Sequence, residues 1–375
     1  MLDRARKNII IKDLEKKMVF LIGPRQVGKT WLSKEIGKSF TKPLYLNFDA
    51  LDDRDRILHA DWVSDVDLII LDELHKMPEW KNHVKGIFDT KKPHQKILVT
   101  GSARLDVFKQ SGDSLAGRFF QHHIFPLSLG EFSRTQETRF NLEDLINRGG
   151  FPEALLAEND VDANRWRQTY ADTLIRDDIF DFETIHDFRA LKLTFNLLRR
   201  QVGSTVSFAS LARDVGVSPA TIVKYVQTFE ALYIVFRVTP YSKNIARSLL
   251  KEPKIYFYDT GLVMGDAGAR FENFVAVSLL AHVSAMQDLQ GENWELKYLR
   301  TKEQQEVDFA LVKDDVIQNL IEAKNSDETL AKSLLYFSEN YQLPAIQLVK
   351  ELKHERQSGL VSLLKAEEYL KGLNA

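Results

Sequence analysis

The sequence predicts an α/β protein: a parallel sheet with helices on both faces, then a helical stretch, then a second α/β region. Three observations point there. An apolar run from Met18 to Ile22 leads directly into a glycine-spaced turn and a helical pattern carried by Trp31, Leu32 and Ile36. Strand-like apolar runs recur at 43–48, 66–71, 96–100 and 119–125, separated by helical or mixed segments. Alternation of strand and helix builds a parallel sheet whose ligands collect at the carboxyl ends of the strands. Finally, an order of helix, three strands, helix and strand fills residues 270–349.

The turn after Ile22 reads Gly23-Pro24-Arg25-Gln26-Val27-Gly28-Lys29-Thr30, a complete P-loop pattern. Glycines let the backbone curl so that successive N–H groups point at one phosphate, and the helix that follows offers its positive end to the same anion. Lys29 is placed to reach the β- and γ-phosphates, and Thr30 to put its hydroxyl on Mg²⁺. ATP and Mg²⁺ are therefore the expected cofactors.

The run ending Leu71-Asp72-Glu73 supplies the acids such a site needs. Asp72 would hold Mg²⁺, directly or through water, and Glu73 would orient and deprotonate the attacking water. Acids at strand ends also cap helices, and that reading stands beside the first. The next run ends Thr100-Gly-Ser102. Either hydroxyl is placed to sense a γ-phosphate, and the sequence does not choose between them. Arg118, in Leu115-Ala-Gly-Arg, reads either as a surface arginine or as a cation reaching a neighbouring subunit's nucleotide.

At 375 residues the chain exceeds one typical core, so two or three domains are expected. With 44% hydrophobic and 28% charged residues it has a globular composition. The absence of cysteine excludes disulfides, thiolate catalysis and cysteine-based zinc sites. No apolar run is long enough to cross a bilayer, and the N-terminal residues lack an apolar signal segment, so a cytoplasmic protein with no membrane partner is expected. A net charge of −2 means that any nucleic-acid partner must be met by local patches.

Gly149-Gly150 and Pro152 mark an expected boundary. Trp166, Tyr170, Leu174, Leu191, Phe195 and Leu198 recur at helical intervals, with Arg176 between them. Residues 207–227 read as a helix, a turn at Gly216, and a second helix capped by Ser218 with Pro219 in its first turn; a strand-like run at 232–238 follows. That is the pattern of a winged helix, which would expose Ser218, Ala220, Thr221 and Lys224 to DNA or serve as a contact for protein. Arg237, Lys243, Arg247, Lys251 and Lys254, with Tyr241 and Tyr256, make a basic, aromatic stretch suited to a phosphate backbone.

In the last region the acids fall at strand positions. Asp308 lies on the second strand, Glu322-Ala-Lys324 ends the third, and Glu272 lies on the preceding helix. Alternation puts Glu322 and Lys324 on one face. This order of elements resembles the core of restriction-endonuclease-like folds, and that resemblance implies Glu272, Asp308 and Glu322 as Mg²⁺ ligands and Lys324 as the group that activates a water for phosphodiester cleavage. The alternative is a domain of this fold that binds without cleaving.

Gly-Pro-Arg-Gln-Val-Gly-Lys-Thr (23–30), Leu-Asp-Glu-Leu-His-Lys (71–76), Val-Thr-Gly-Ser-Ala-Arg (99–104), Leu-Ala-Gly-Arg (115–118) and Gly-Gly-Phe-Pro-Glu (149–153) together resemble a prokaryotic family of AAA+ ATPases with an appended restriction-endonuclease-like domain. The resemblance spans nearly the whole chain. It implies a P-loop AAA+ core (1–135), a helical lid (136–200), a winged helix (201–250) and a C-terminal α/β restriction-endonuclease-like domain (251–375). It also implies a homo-oligomeric ring, a hexamer favoured, with ATP at subunit interfaces and Arg118 acting across them. Val307 stands where such nucleases often have proline before the aspartate.

Overall fold

The computed structural model describes residues 3–101, 115–175, 187–242, 252–301, 303–326 and 329–374, which form two compact units, Met1–Phe125 and Pro126–Ala375. Ser102, Arg104, Arg176, Lys243, Arg247 and Lys251 lie outside the described residues.

The first unit runs α1 (Lys7–Leu14), β1 (Met18–Ile22), α2 (Lys29–Gly37), β2 (Pro43–Asn47), α3 (Leu51–His59), β3 (Leu68–Asp72), α4 (Trp80–Thr90), β4 (Lys96–Thr100) and β5 (Phe119–His123). Its five strands form a wholly parallel sheet in the order β2-β3-β4-β1-β5. The central strands β1 and β3 are buried along their whole length, which is why they read as unbroken apolar runs. Phe20, Ile69, Leu71, Val84 and Val99 share one core cluster. The carboxyl ends of β1, β3 and β4 are neighbours in this order, so Gly23, Asp72 and Thr100 arrive at one edge of the sheet.

The second unit runs α5 (Leu129–Thr135), α6 (Leu142–Arg148), α7 (Pro152–Leu155), α8 (Asp160–Thr173), α9 (Phe188–Leu198), α10 (Phe208–Val215), α11 (Pro219–Ala231), β6 (Val235–Pro240), β7 (Lys254–Phe257), α12 (Ala267–Gln290), β8 (Trp294–Arg300), β9 (Glu306–Lys313), β10 (Val316–Lys324), α13 (Lys332–Tyr341), β11 (Ala345–Val349), β12 (Arg356–Ser358), β13 (Val361–Lys365) and α14 (Ala366–Lys371). Its eight strands form a mixed sheet in the order β12-β13-β11-β10-β9-β8-β6-β7. Val307, Val312 and Leu320 meet Leu334 and Phe337 of α13, while α12 runs against β7, β8 and β10.

Several elements differ from expectation. The strand expected at 232–238 forms at Val235–Pro240, pairs with β7, and continues onto β8 through Thr239 and Pro240. It therefore belongs to the same sheet as the last region. Residues 126–135, expected with the first domain, pack in the second unit: a Cβ on Gly130 would lie 2.5 Å from the Leu373 carbonyl oxygen, and Arg134 donates to Asn374. Gly149 and Gly150 are a packing point inside this unit. A Cβ on Gly149, at φ +72°, would lie 2.1 Å from Asp259 Oδ1.

Asp259 anchors that packing point. Its Oδ2 accepts from Arg167 Nε at 3.1 Å, and Arg167 also donates to the Arg148 carbonyl and Asn164. Both side chains are almost wholly buried. Removing one partner of a buried pair leaves an uncompensated charge, so Arg167→Met should destabilise the full chain by about 3–5 kcal/mol in a urea or thermal melt. A melt unchanged from wild type would show that the pair does not hold these segments together.

Candidate functional site

The first site stands at the carboxyl edge of the parallel sheet. Gly23 has φ +139°, and a Cβ there would sit 2.2 Å from the Ile124 carbonyl oxygen, so only glycine fits this approach. Gln26 (φ +58°) and Gly28 (φ +98°) complete the curl, and α2 starts at Lys29. Pro24 and Val27 are buried, Arg25 is half-buried and Gln26 is exposed. Arg4, which carries no motif, braces the loop by donating to the Val27 and Phe125 carbonyls.

Lys29 Nζ donates to the carbonyls of Gly23 (2.9 Å) and Pro24 (2.6 Å), holding the ammonium inside the loop. Burial pulls its pKa down to about 8, against the favourable charges of Glu73 and Asp72.

Asp72, almost fully buried, is the centre of this site. Its Oδ2 accepts from Thr30 Oγ1 at 2.8 Å and from the Tyr45 hydroxyl at 2.6 Å. Its Oδ1 accepts from the Thr100 hydroxyl and, at 3.1 Å, from the Glu73 amide. Thr100 thus stands on the site, while Ser102 lies outside the described residues. Tyr45 is a member that sequence reasoning missed. Lys34 lies over its ring at 4.2 Å, and its pKa is raised by burial and by its bond to Asp72.

Glu73 adopts φ +56°, a conformation disfavoured for a side-chain-bearing residue and a form of strain found at functional sites. Its Oε2 is buried and takes no hydrogen bond among the described residues; His75 Nδ1 is 3.6 Å away, beyond bonding range. Burial, then the charge of Asp72, raises the Glu73 pKa above the usual carboxylate value.

These residues fit ATP and Mg²⁺. The glycine cradle admits no side chain, a buried cation faces it, and a hydroxyl and a carboxylate of the hard-oxygen type stand together. Mg²⁺ is commonly held by one or two carboxylates plus the substrate's phosphates. Arg118, in contrast, is taken up within the unit: its Nε lies 3.0 Å from Asp89 Oδ1 in a partly exposed ion pair.

The second unit holds a separate polar cluster. Strand period places Lys254 and Tyr256, Glu306 and Asp308, and Glu322 and Lys324 as same-face pairs. Glu272, from α12, joins them. The structure brings the four expected residues close to one another, with Glu272 and Asp308 on a buried lysine and Glu322 paired with Lys324. Lys254 Nζ lies 3.0 Å from Asp308 Oδ1, 3.3 Å from Glu272 Oε1 and 2.9 Å from Glu306 Oε1. Lys324 pairs with Glu322 at 2.8 Å, Tyr256 donates to Glu272 at 2.7 Å, and the amide of Ala323 donates to Asp308. Burial, then the charge of Asp308, pushes Glu272 up to about 8 and Glu322 up to about 7. Burial opposes the Lys254 charge, but Asp308, Glu272 and Glu306 outweigh it and raise its pKa above the usual lysine value.

Among the described residues no group of three or more His, Asp or Glu side chains is arranged to hold a metal ion. The expected Mg²⁺ ligands Glu272, Asp308 and Glu322 therefore do not fit the ion as they stand, because an ammonium holds the point where Glu272 and Asp308 converge. Lys254 and Tyr256, expected on a surface tracking DNA, are fully buried in this cluster, and Arg237 is paired with Glu230 at 2.8 Å.

Residues 15–133 match the model of an AAA domain, residues 139–270 that of a domain of unknown function (DUF8612), and residues 267–369 that of another (DUF4143). The chain thus carries an AAA-type P-loop ATPase domain. It is 28% identical over 310 residues to the uncharacterized protein Rv2008c of Mycobacterium tuberculosis, covering 78% of this chain and 67% of that one. It is 25% identical over 334 residues to an uncharacterized protein of Haemophilus influenzae, covering 80% and 79%. Among solved structures, a Walker-type ATPase of Pyrococcus abyssi aligns with 70% of this chain and 95% of its own, at a TM-score of 0.43 and 14% identity. No helix among the described residues is long and apolar enough to cross a membrane.

Tyr45→Phe keeps the ring and removes only the hydroxyl. Loss of a hydrogen bond to a charged group should cost about 1.5–3 kcal/mol of stability. It should also raise the Mg²⁺ concentration needed for half-maximal ATP turnover. An unchanged Mg²⁺ requirement would show that the hydroxyl does not position Asp72.

Proposed function

We propose that this chain hydrolyses ATP at the P-loop with Mg²⁺ as cofactor, and that the cycle switches what its second unit binds. The observation that carries the reading is the Asp72 carboxylate, which joins Thr30 of the loop to Thr100 of β4 and leaves a buried, unbonded Glu73 oxygen beside it. The amides of residues 23–30 would cradle the phosphates, and Lys29 would exchange its carbonyl partners for β- and γ-phosphate oxygens. Mg²⁺, held at Thr30 and Asp72, would offset charge on those oxygens. Glu73 would take a proton from the attacking water as the β–γ anhydride is cleaved to ADP and phosphate, with Thr100 reporting the γ-phosphate to Asp72.

Two finer assignments accompany this one. In a ring, a hexamer favoured, Arg118 would act on a neighbour's nucleotide only after leaving Asp89, so nucleotide and Asp89 would compete for it. DNA contact is assigned to α10 and α11, read as the two helices of a winged helix: Ser218, Ala220 and Lys224 are exposed there, and Thr221 is half-buried against Ser218. Of the two readings of residues 251–375, cleaving or binding only, the ion pairs of Lys254 favour the second.

Lys29→Ala should lose nucleotide binding. Glu73→Gln should bind ATP and lose turnover by roughly 10²–10⁴-fold, the contribution of a general base. Affinity by calorimetry and turnover by phosphate release separate the two effects. A Glu73→Gln protein with wild-type turnover would remove Glu73 as the base.

A further inference from the structure

The cluster in the second unit is a set of buried acids with its own cation. Lys254 is fully buried on β7, and three carboxylate oxygens, from Glu272, Glu306 and Asp308, converge on its Nζ within 3.3 Å. Several of the other carboxylate oxygens also have donors. Asp308 Oδ2 accepts from the Ala323 amide at 3.1 Å, Glu322 Oε2 from the Asp308 amide at 3.3 Å, and Glu322 Oε1 from Lys324. Glu306 Oε2 lies 3.5 Å from Arg300. Gly203 closes the far side of Glu272, where a Cβ would stand 2.7 Å from Oε2. Several kcal/mol are needed to bury each unpaired charge, so acids packed this closely need a cation, or a proton on some of them, to offset that cost.

We propose that Lys254 is that resident cation: it stands in for a divalent metal, leaves the cluster closed to one as built, and on removal of its ammonium would leave a divalent-cation site formed by Glu272, Asp308 and Glu306. The oxygens now about 3 Å from Nζ would need to close to the ~2.0–2.6 Å typical of Mg²⁺ or Ca²⁺, a shift that side-chain rotation supplies. The three residues come from α12 and β9, and the lysine from β7, so the site depends on the hairpin of β6 and β7 being part of the sheet. This inference rests on the non-cleaving reading of the domain and is independent of ATP hydrolysis.

The test uses the full chain without nucleotide and Mn²⁺ as the probe, with free Mn²⁺ read by electron paramagnetic resonance. Wild type and Asp308→Asn should take up the same amount of Mn²⁺. Lys254→Ala should bind one further equivalent, and Lys254→Ala combined with Asp308→Asn should lose it. Uptake by wild type that Asp308→Asn removes would overturn the proposal, as would a folded Lys254→Ala that binds no more than wild type. Should Lys254→Ala fail to fold, Lys254→Met, similar in volume and uncharged, should melt below wild type; melting at the wild-type temperature would overturn the counterion role. Linear and circular DNA incubated with the same Mn²⁺ separate the two claims. Cleavage by wild type that Asp308→Asn abolishes removes the non-cleaving reading, whereas Asp308-dependent Mn²⁺ uptake with intact DNA removes only the role of Lys254.

Discussion

The first unit turns on one carboxylate. Asp72 is buried at the end of a strand that is itself buried throughout, and a bare carboxylate there would be costly. Four donors offset that cost: the hydroxyls of Thr30, Tyr45 and Thr100 and the Glu73 amide. They come from α2, β2, β4 and the turn after β3, so the parallel order β2-β3-β4-β1 is also the wiring of the site. Thr30, where phosphate and metal would arrive, shares the Asp72 carboxylate with Thr100 and Tyr45.

The second unit meets the same problem of buried charge differently. Its acids gather where strands of alternating pattern present polar side chains toward α12, and there a buried lysine contacts Glu272, Glu306 and Asp308. At the Asp72 site, Glu73 Oε2 is buried and takes no hydrogen bond among the described residues. In the Lys254 cluster the acids are matched by ammonium and amide donors.

What was legible in the sequence follows the range of the interactions. Residues 18–30 encode strand, loop and helix start within thirteen positions, and β1, β4 and β11 fall at the expected residues. The pairing of Asp72 with the P-loop follows from the alternation of strand and helix. Tyr45 was hidden because a tyrosine in an apolar strand reads as core; only the neighbouring β3 gives its hydroxyl a purpose. Lys254 was hidden for the opposite reason, since lysines nearby made it look like surface. The signal was present as a polar-apolar-polar triplet, Lys254-Ile-Tyr256, matching Glu306-Val-Asp308 and Glu322-Ala-Lys324. The strands β12 and β13 and the division at Phe125 depend on contacts such as Gly130 with Leu373, which no local pattern records.

In the proposed cycle Asp72 links bound phosphate to Mg²⁺-dependent hydrolysis. Asp72→Asn keeps the shape of the side chain and removes its charge. The decisive measurement is the affinity of the full chain for a non-hydrolysable ATP analogue with and without Mg²⁺, beside turnover of ATP. Mg²⁺-free binding should stay close to wild type, the gain in affinity given by Mg²⁺ should disappear, and turnover should fall about a hundredfold or more. An Asp72→Asn protein that keeps both the Mg²⁺ gain and wild-type turnover would contradict it.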